Sequence, residues 1–364
     1  MVRRVDEGGL VSSAPILVTG AGGFIGGRIV EVLHAAGLGP VRAGVRRWST
    51  AAQVGRLPVE IVGCDVEDPA SLVAAMAGVR AVVHCAVGTP EVNANGTRTV
   101  LEAARIAGVA RVVHLSTIDV YGRADGTFTE ETPRRREGAA YGDSKIAAEE
   151  AVEEYRGAGS RIAVLRPTIV YGPGSASWTV EFAERLLAGN WLLSEEDTSG
   201  LCNLVYVDDV VAAVLRALET PEPCNETFNV NGPEVITWAA YFRALNDALG
   251  MPPLPKVSRG RSHLAASAMA PVRASAKWVL KKAPGLVMGL YQKSGFARRL
   301  MKGAEGAIRQ TPTAGEFRLY SIAARYPTDK AIRLIGYRPA FSVAEGIALS
   351  VAWLKHVGIE KRRG

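Results

Sequence analysis

The feature that most constrains this chain is a glycine-rich turn between a short apolar run and a helical segment. Residues 16–18 read Ile-Leu-Val, and residues 24–34 have the apolar spacing of a helix. Gly20, Gly23 and Gly26 lie at the junction of the two segments. Without a Cβ, they allow a tight turn, a close backbone approach to phosphate, and close packing of helix on strand. The pattern predicts a nucleotide-binding unit with the pyrophosphate at the helix N-terminus.

Short apolar runs alternate with helical segments along the rest of the chain. Strands are predicted at 16–19, 41–46, 59–63, 81–85, 111–116, 162–166 and 227–230, and helices at 26–36, 69–77, 95–107 and 141–156. Such alternation implies right-handed crossovers and a parallel sheet. We therefore predict an α/β fold with a Rossmann-like, doubly wound parallel sheet, whose ligand crevice lies at the carboxyl ends of the strands.

The same pattern predicts two structural parts. Residues 1–174 would form an NAD(P)-binding Rossmann domain, to which residues 203–234 return. Residues 175–202 and 235–364 would form a smaller, discontinuous, mainly helical substrate lobe, which includes a basic insert at 251–310.

Tyr141 and Lys145 lie four residues apart in a predicted helix and therefore on one face of it. A free tyrosine has a pKa of about 10, and a nearby positive charge favours the phenolate and lowers that pKa. The phenol can then exchange a proton with a carbinol oxygen while hydride passes to or from a nicotinamide. An ordinary surface Tyr and Lys would have the same spacing. However, a predicted strand that ends in two hydroxyls, Ser116 and Thr117, lies upstream.

With these motifs in this order, the chain resembles the extended short-chain dehydrogenase/reductases, which include nucleotide-sugar epimerases, 4,6-dehydratases and related ketoreductases. The resemblance covers about residues 14–250 and 320–355. It rests on the glycine turn and on Asp65-Val66, His84-Cys85-Ala86, Asn93–Thr97, Ser116–Gly122, Tyr141–Lys145, Leu165-Arg166-Pro167 and Val207–Val210.

The resemblance implies a role for each motif residue. Thr117 occupies the catalytic Ser/Thr position, Tyr141 is the acid/base, and Lys145 also binds the nicotinamide ribose. The cofactor-binding residues that it implies are Gly20, Gly23, Phe24, Ile25 and Gly26 at the turn, Asp65 and Val66 at the adenine, Ala86, and Pro167 and Ile169 near the nicotinamide. No metal site is expected.

The implied activity is an NAD(P)-dependent epimerase or ketoreductase that acts on a sugar or nucleotide-sugar-like carbinol. In the 4,6-dehydratases an acid and a base follow the strand-five hydroxyl, but in this chain those positions are Ile118 and Asp119. Isoleucine cannot donate a proton, which argues against dehydration. Many nucleotide-sugar enzymes of this group have an arginine that pairs with the substrate diphosphate. At its position this chain has Cys202, followed by Asn203. A steroid- or flavonoid-type ketoreductase with an apolar substrate, and a non-catalytic NADP-sensing protein, are the alternatives.

The predicted second strand ends in Arg46 and Arg47, where an NAD enzyme usually has an acid for the ribose 2′-hydroxyl. Guanidinium groups at this place can bind a 2′-phosphate through charge-assisted hydrogen bonds. A solvated basic turn is the alternative. We predict that NADP is preferred and that NAD is a second cofactor.

The basic insert 251–310 holds twelve Lys and Arg residues and one acid, Glu305, whereas the whole chain has a formal net charge of only +7. In a helix Val272, Ala276, Val279 and Leu280 would share one face, and Arg273, Lys277 and Lys281 another. The pattern suits a helix on an anionic membrane, which residues 265–303 would contact. Equally, these helices could pack on the sheet domain, with Trp278 and Leu280 buried.

Composition and partners add further expectations. The cysteines at 64, 85, 202 and 224 have no metal-ligand spacing and indicate reduced thiols. The apolar segment near the N-terminus is the first strand rather than a signal peptide, and no apolar run reaches the roughly 18 residues that span a bilayer. We expect a cytoplasmic homodimer, membrane-associated if the insert binds lipid, with a small sugar-like substrate. No nucleic-acid partner is expected, because no recognition motif is found.

Overall fold

The computed structural model describes residues 13–156, 161–189, 191–220, 225–282, 308 and 311–360. The chain divides into two compact units. The first comprises residues 1–171, 203–234 and 325–343, and the second comprises residues 172–202, 235–324 and 344–364. The assignment of cofactor binding to one part of the chain and substrate binding to another stays a prediction.

Strands and helices alternate through most of the first 230 residues, and helices predominate after them. The strands are β1 (Ile16–Thr19), β2 (Val41–Val45), β3 (Glu60–Gly63), β4 (Ala81–His84), β5 (Arg111–Leu115), β6 (Gly126–Thr127), β7 (Arg161–Pro167), β8 (Ile169–Tyr171), β9 (Leu201–Tyr206), β10 (Thr227–Val230), β11 (Val235–Thr237) and β12 (Ala324–Arg325). The α-helices are α1 (Phe24–Ala35), α2 (Pro69–Met76), α3 (Pro90–Ile106), α4 (Ala140–Tyr155), α5 (Glu181–Leu187), α6 (Val207–Glu219), α7 (Trp238–Ala248), α8 (Arg259–Lys282), α9 (Ala314–Ser321), α10 (Asp329–Ile335) and α11 (Val343–His356).

The first unit is built on a seven-stranded sheet with the order β10-β7-β5-β4-β1-β2-β3. Every neighbouring pair in this sheet is parallel. The strand order reverses at β1, which lies between β2 and β4, and a crevice therefore opens at the carboxyl ends of β1 and β4. The predicted α/β class with a doubly wound parallel sheet is confirmed.

The core of the first unit explains why the apolar runs form strands. Leu17 of β1, Val82 of β4 and Val112 of β5 are fully buried, and Leu72 of α2 and Val100 of α3 pack into the same cluster. Strands buried on both faces need continuous apolar runs, and such runs were the signal in the sequence.

The structure differs from the sequence prediction in the start of one helix and in strands that were not predicted. Helix α3 begins at Pro90 rather than at residue 95, because Thr89 caps it by accepting a hydrogen bond from the Val92 N–H. Proline at the first helical position fits this start. Strands β8 and β9, which were not predicted, pair in parallel through Ile169 with Leu204 and Tyr171 with Tyr206.

The second unit is mainly helical, as predicted for the C-terminal region. Its core is aromatic: the ring of Trp238 lies 4.5 Å from that of Tyr320, and the rings of Phe182 and Phe242 are 5.1 Å apart. Helix α9 begins with a capping box between Thr313 and Glu316. Among the described helices, none is long and apolar enough to cross a membrane.

Helix α8 covers part of the basic insert, whereas residues 283–307, 309 and 310 lie outside the described residues. The proposed membrane contact at 265–303 is therefore described only as far as residue 282. Trp278 is 64% exposed, which contradicts its burial in the packing alternative, and the Leu280 side chain is not among those described. Arg273, expected on a solvated face, instead donates hydrogen bonds to backbone carbonyls, those of Ile308, Thr311 and Pro312.

Candidate active site

The glycine turn between β1 and α1 is closed by two contacts that leave no room for a Cβ. Gly20 has a φ of +69°, and a Cβ on it would lie 2.8 Å from the backbone of Ala86, just after β4. A Cβ on Gly26 would lie 2.3 Å from the carbonyl oxygen of Gly20. Gly23 is exposed at the N-terminus of α1 and has no side chain to cap the helix. The first-turn N–H groups, which include those of Phe24 and Ile25, fit a pyrophosphate.

Arg46 and Arg47 directly follow β2, the neighbour of β1 in the sheet. Both are exposed, and neither side chain has a hydrogen-bond or ion-pair partner within the part of the chain that the structure describes. The turn after them folds against the glycine turn, since a Cβ on Gly22 would lie 2.5 Å from the carbonyl oxygen of Thr50. Two unpaired guanidinium groups beside a phosphate cradle fit the 2′-phosphate of NADP(H).

Three of the other expected cofactor residues, Asp65, Val66 and Pro167, lie at or just after the ends of strands of the seven-stranded sheet, whereas Ile169 begins β8 of a separate three-stranded sheet. Asp65 and Val66 follow β3, and Val66 is buried against Gly96 of α3, where a Cβ would lie 2.8 Å from its methyl group. Pro167 ends β7 and is buried, whereas Ile169 is partly exposed. Because the strands of the seven-stranded sheet are parallel, their carboxyl ends share one edge of the sheet, the edge at which a dinucleotide binds.

Thr117 follows β5, and its side chain is held by the turn that comes next. Its hydroxyl oxygen accepts a hydrogen bond from the Asp119 N–H at 3.2 Å, and the residue is buried. Its side chain also lies close enough to Tyr141 to lower the pKa of that phenol. The structure therefore brings Thr117 and Tyr141 together, although 24 residues separate them in the sequence.

Lys145 is buried one helical turn after Tyr141, and its ammonium group donates a 2.9 Å hydrogen bond to the Leu115 carbonyl at the end of β5. Desolvation lowers the pKa of Lys145 to about 8, whereas the neighbouring Cys85 and the Glu149 carboxylate act in the opposite direction. The lysine thus remains largely protonated at neutral pH.

The pKa of Tyr141 differs from the sequence prediction. Desolvation raises the pKa to about 12, the negative charge of Asp119 adds to the rise, and the nearby Thr117 side chain opposes it. Although 45% of the Tyr141 surface is exposed, its pKa is set by the surroundings of the hydroxyl group. In those surroundings desolvation and the Asp119 carboxylate have the largest effects. The lowering expected from Lys145 was wrong for this structure, because the ammonium faces the Leu115 carbonyl.

Glu149 is a functional neighbour that the sequence reasoning missed. Its buried carboxylate accepts hydrogen bonds from the Ser116 hydroxyl at 2.5 Å and from the Arg166 guanidinium at 2.9 and 2.5 Å. Arg166 also donates to the Tyr121 hydroxyl at 2.8 Å. This network joins α4 to the ends of β5 and β7. The regular four-residue spacing of Tyr141, Lys145 and Glu149 on one helix was the signal that could have found it.

Asp119, Cys202 and Asn203 lie at positions where this chain departs from the family pattern, and the structure defines their surroundings. Asp119 lines a small cavity of about 80 Å³ that Tyr141 and Arg123 also line, and desolvation raises its pKa. Cys202 is fully buried, and the side chain of Asn203 accepts a hydrogen bond from Asn231 at 3.2 Å. Neither residue presents a cation to a substrate diphosphate.

No group of three or more His, Cys, Asp or Glu side chains that could hold a metal occurs within the described ranges. This finding covers the described part of the chain alone, and the expectation of no metal site otherwise stays a prediction.

Comparison with known proteins agrees with this geometry. Residues 16–231 match the NAD dependent epimerase/dehydratase family. UDP-glucose 4-epimerase of Mycolicibacterium smegmatis is 32% identical over 265 residues, which cover 66% of this chain and 84% of that protein. The 2-alkyl-3-oxoalkanoate reductase of Stenotrophomonas maltophilia is 29% identical over 259 residues, which cover 66% of this chain and 77% of that protein.

Among solved structures, UDP-glucuronic acid 4-epimerase from Bacillus cereus in complex with NAD has a TM-score of 0.68 and 19% identity, with 94% of this chain and 99% of that chain covered. At this identity the match shows the fold. The family match covers more than half of the sequence and includes the glycine turn, Thr117, Tyr141 and Lys145. The chain therefore belongs to the NAD dependent epimerase/dehydratase family and is an NAD(P)-dependent enzyme of the epimerase or oxidoreductase type.

Proposed function

We propose that the protein is an NADP(H)-dependent ketoreductase that converts an apolar ketone to a carbinol, with Thr117, Tyr141 and Lys145 as its catalytic residues. The observation that carries the proposal is the exposed pair Arg46 and Arg47, which have no partner within the described residues and follow β2 beside the glycine turn. A 2′-phosphate that bound there would select NADP(H), the cofactor form that a reductase uses.

The catalytic residues have complementary roles in this reaction. When bound, the reduced nicotinamide supplies a hydride to the carbonyl carbon. The Tyr141 hydroxyl donates its proton to the carbonyl oxygen, and a pKa of about 12 keeps this phenol protonated at neutral pH. Thr117 lies beside the phenol and orients it, and the Lys145 ammonium, held by the Leu115 carbonyl, would bind the nicotinamide ribose. Solvent then returns a proton to Tyr141.

The apolar substrate class is supported by what stands in place of the diphosphate clamp. Cys202 is buried and Asn203 is bonded to Asn231, so the positions expected to bind a nucleotide diphosphate provide no positive charge. The relative named 2-alkyl-3-oxoalkanoate reductase supports the same class. We propose a 3-oxo compound with alkyl substituents as the substrate. The expected homodimer and cytoplasmic location stay predictions.

A second candidate is the epimerisation of a nucleotide sugar, which the 32% identity to UDP-glucose 4-epimerase favours. The same Tyr141 would then remove a carbinol proton and return it after the keto intermediate has presented its other face. An epimerase needs only a catalytic amount of cofactor, whereas a reductase consumes one equivalent for each product. The cofactor stoichiometry therefore separates the two functions.

The test incubates the purified protein with NADPH and a series of 2-alkyl-3-oxoalkanoates, and in parallel with NAD and UDP-glucose. The proposal predicts one NADPH oxidised for each carbinol formed with the oxo compounds, and no UDP-galactose. Tyr141→Phe is the inactive control. Conversion of UDP-glucose to UDP-galactose without net cofactor consumption would establish the second candidate in place of the first.

A further inference from the structure

The sign of charge is uniform across a long segment of the second unit. Between residues 251 and 304 the sequence contains eleven Lys and Arg residues and no Asp or Glu. The whole chain has a formal net charge of +7, so the residues outside this segment are net acidic. A segment of this kind attracts a surface that carries many negative charges close together.

Helix α8, within this segment, exposes large apolar side chains on one side. Leu264 is 72% exposed, Trp278 is 64% exposed and Val272 is 46% exposed. At 3.6 residues per turn, these positions fall within an arc of about 120°. Two exposed cations, Arg261 and Lys282, fall within the same arc. We call these five residues the α8 outer face.

The contacts that α8 makes with the rest of its unit come from other sides of the helix than the outer face. The His263 ring stacks on the Phe317 ring at a centroid distance of 4.2 Å and an interplanar angle of 11°, and it is hydrogen-bonded to the buried Asp197 at 3.0 Å. Arg273, nearly opposite the outer face, donates to the Pro312 carbonyl at 3.1 Å. The helix is thus held within its unit by polar contacts and by ring stacking. The outer face makes none of these contacts.

We propose that the α8 outer face binds the surface of an anionic lipid bilayer. Leucine, valine and tryptophan side chains that project beside Lys and Arg are the combination by which helices lie in a membrane interface. Tryptophan in particular prefers the headgroup level, where the ring is buried and its N–H remains hydrated. The absence of acids from residues 251–304 matches a surface of one charge sign rather than the mixed charges of most protein partners. The inference does not depend on which substrate the enzyme reduces.

The binding test uses co-sedimentation of the full chain with vesicles of phosphatidylcholine, with or without phosphatidylglycerol. We expect the protein to pellet with the anionic vesicles at about 0.1 M salt and to be released at about 1 M, because the Debye length falls from about 10 Å to about 3 Å. Arg261→Glu combined with Lys282→Glu should lower the partition coefficient at least about tenfold. Arg105→Glu combined with Arg216→Glu makes the same charge change on exposed residues of α3 and α6 and should have a much smaller effect.

The apolar part of the face is tested separately. Trp278→Ala should also weaken pelleting about tenfold, whereas Trp48→Ala, at a tryptophan that is 67% exposed in the first unit, should leave it unchanged. The tryptophan emission of the wild type should shift to the blue on addition of anionic vesicles, and Trp278→Phe should remove that shift.

Three outcomes would overturn the proposal. The first is no pelleting with anionic vesicles at low salt, and the second is equal loss in the two charge-reversal pairs. The third is that Trp278→Ala converts an oligomer to a monomer without any vesicle binding by the wild type. In that case the α8 outer face would be an interface between copies of the chain.

Discussion

The ammonium group of Lys145 donates a hydrogen bond to the Leu115 carbonyl, which ties the middle of α4 to the carboxyl end of β5. This contact fixes the helix so that Tyr141, one turn earlier, lies beside Thr117, two residues beyond Leu115. The lysine is buried, and desolvation lowers its pKa from 10.5 to about 8. The folded protein therefore binds this proton less tightly than the unfolded chain does.

That difference predicts a pH-dependent stability. Between about pH 8 and pH 10.5 the unfolded chain holds the Lys145 proton that the folded protein has released, so the free energy of unfolding rises with pH. We expect the wild type to gain up to about 3 kcal/mol relative to Lys145→Met across this window, because one pKa unit corresponds to about 1.4 kcal/mol. Urea denaturation at a series of pH values measures the gain. Lys355→Met, at an exposed lysine of α11, is the matched control, and equal pH slopes in the two variants would contradict the prediction.

Tyr141→Phe removes only the hydroxyl that donates the proton. We expect kcat to fall by about 10²- to 10⁴-fold, the range for a general acid, with little change in cofactor affinity. Tyr155→Phe makes the same substitution at the end of the same helix and should leave kcat nearly unchanged. Near-normal reduction of the ketone substrate by Tyr141→Phe would exclude Tyr141 as the general acid.

Features that depend on local sequence patterns could be predicted from the sequence, whereas features that depend on contacts made only after folding could not. The glycine turn and β1 were predictable, because steric requirements and apolar runs act over a few residues. The pKa of Tyr141 was not predictable, because it depends on the position of Asp119 and on where the Lys145 ammonium points after folding. Helix spacing places Lys145 beside Tyr141, but it does not reveal the Leu115 carbonyl, which comes from another strand.

Arg46 and Arg47 should determine which cofactor is preferred. Replacing both with Ala should weaken NADPH binding by about 1.5–3 kcal/mol for each charged hydrogen bond lost, and should leave NADH binding almost unchanged. Isothermal titration with the two cofactors measures the difference. Arg105→Ala combined with Arg216→Ala removes the same charge from α3 and α6 and should affect neither cofactor. Equal losses for NADPH and NADH in the Arg46 and Arg47 variant would refute the 2′-phosphate role.

The buried Glu149 carboxylate provides a contrast with an exposed one on the same helix. Glu149 accepts three hydrogen bonds from Ser116 and Arg166, and its side chain is only 3% exposed. Glu154, also on α4, pairs with Arg98, and its side chain is 54% exposed. Burial decides the energetic difference between the two pairs, because water screens the exposed charges but not the buried ones.

Glu149→Ala should therefore lower the free energy of unfolding by about 3–5 kcal/mol, since it leaves the Arg166 guanidinium charged and without its buried counterion. Glu154→Ala should cost about 0–1 kcal/mol. Urea denaturation of both variants at neutral pH gives the comparison. Because Glu149 also helps to keep Lys145 protonated, Glu149→Gln should weaken cofactor binding at alkaline pH more than at neutral pH, whereas Glu154→Gln should not. If Glu149→Gln lowered stability but left the pH dependence of cofactor binding unchanged, the carboxylate would support the fold alone and would not tune the lysine.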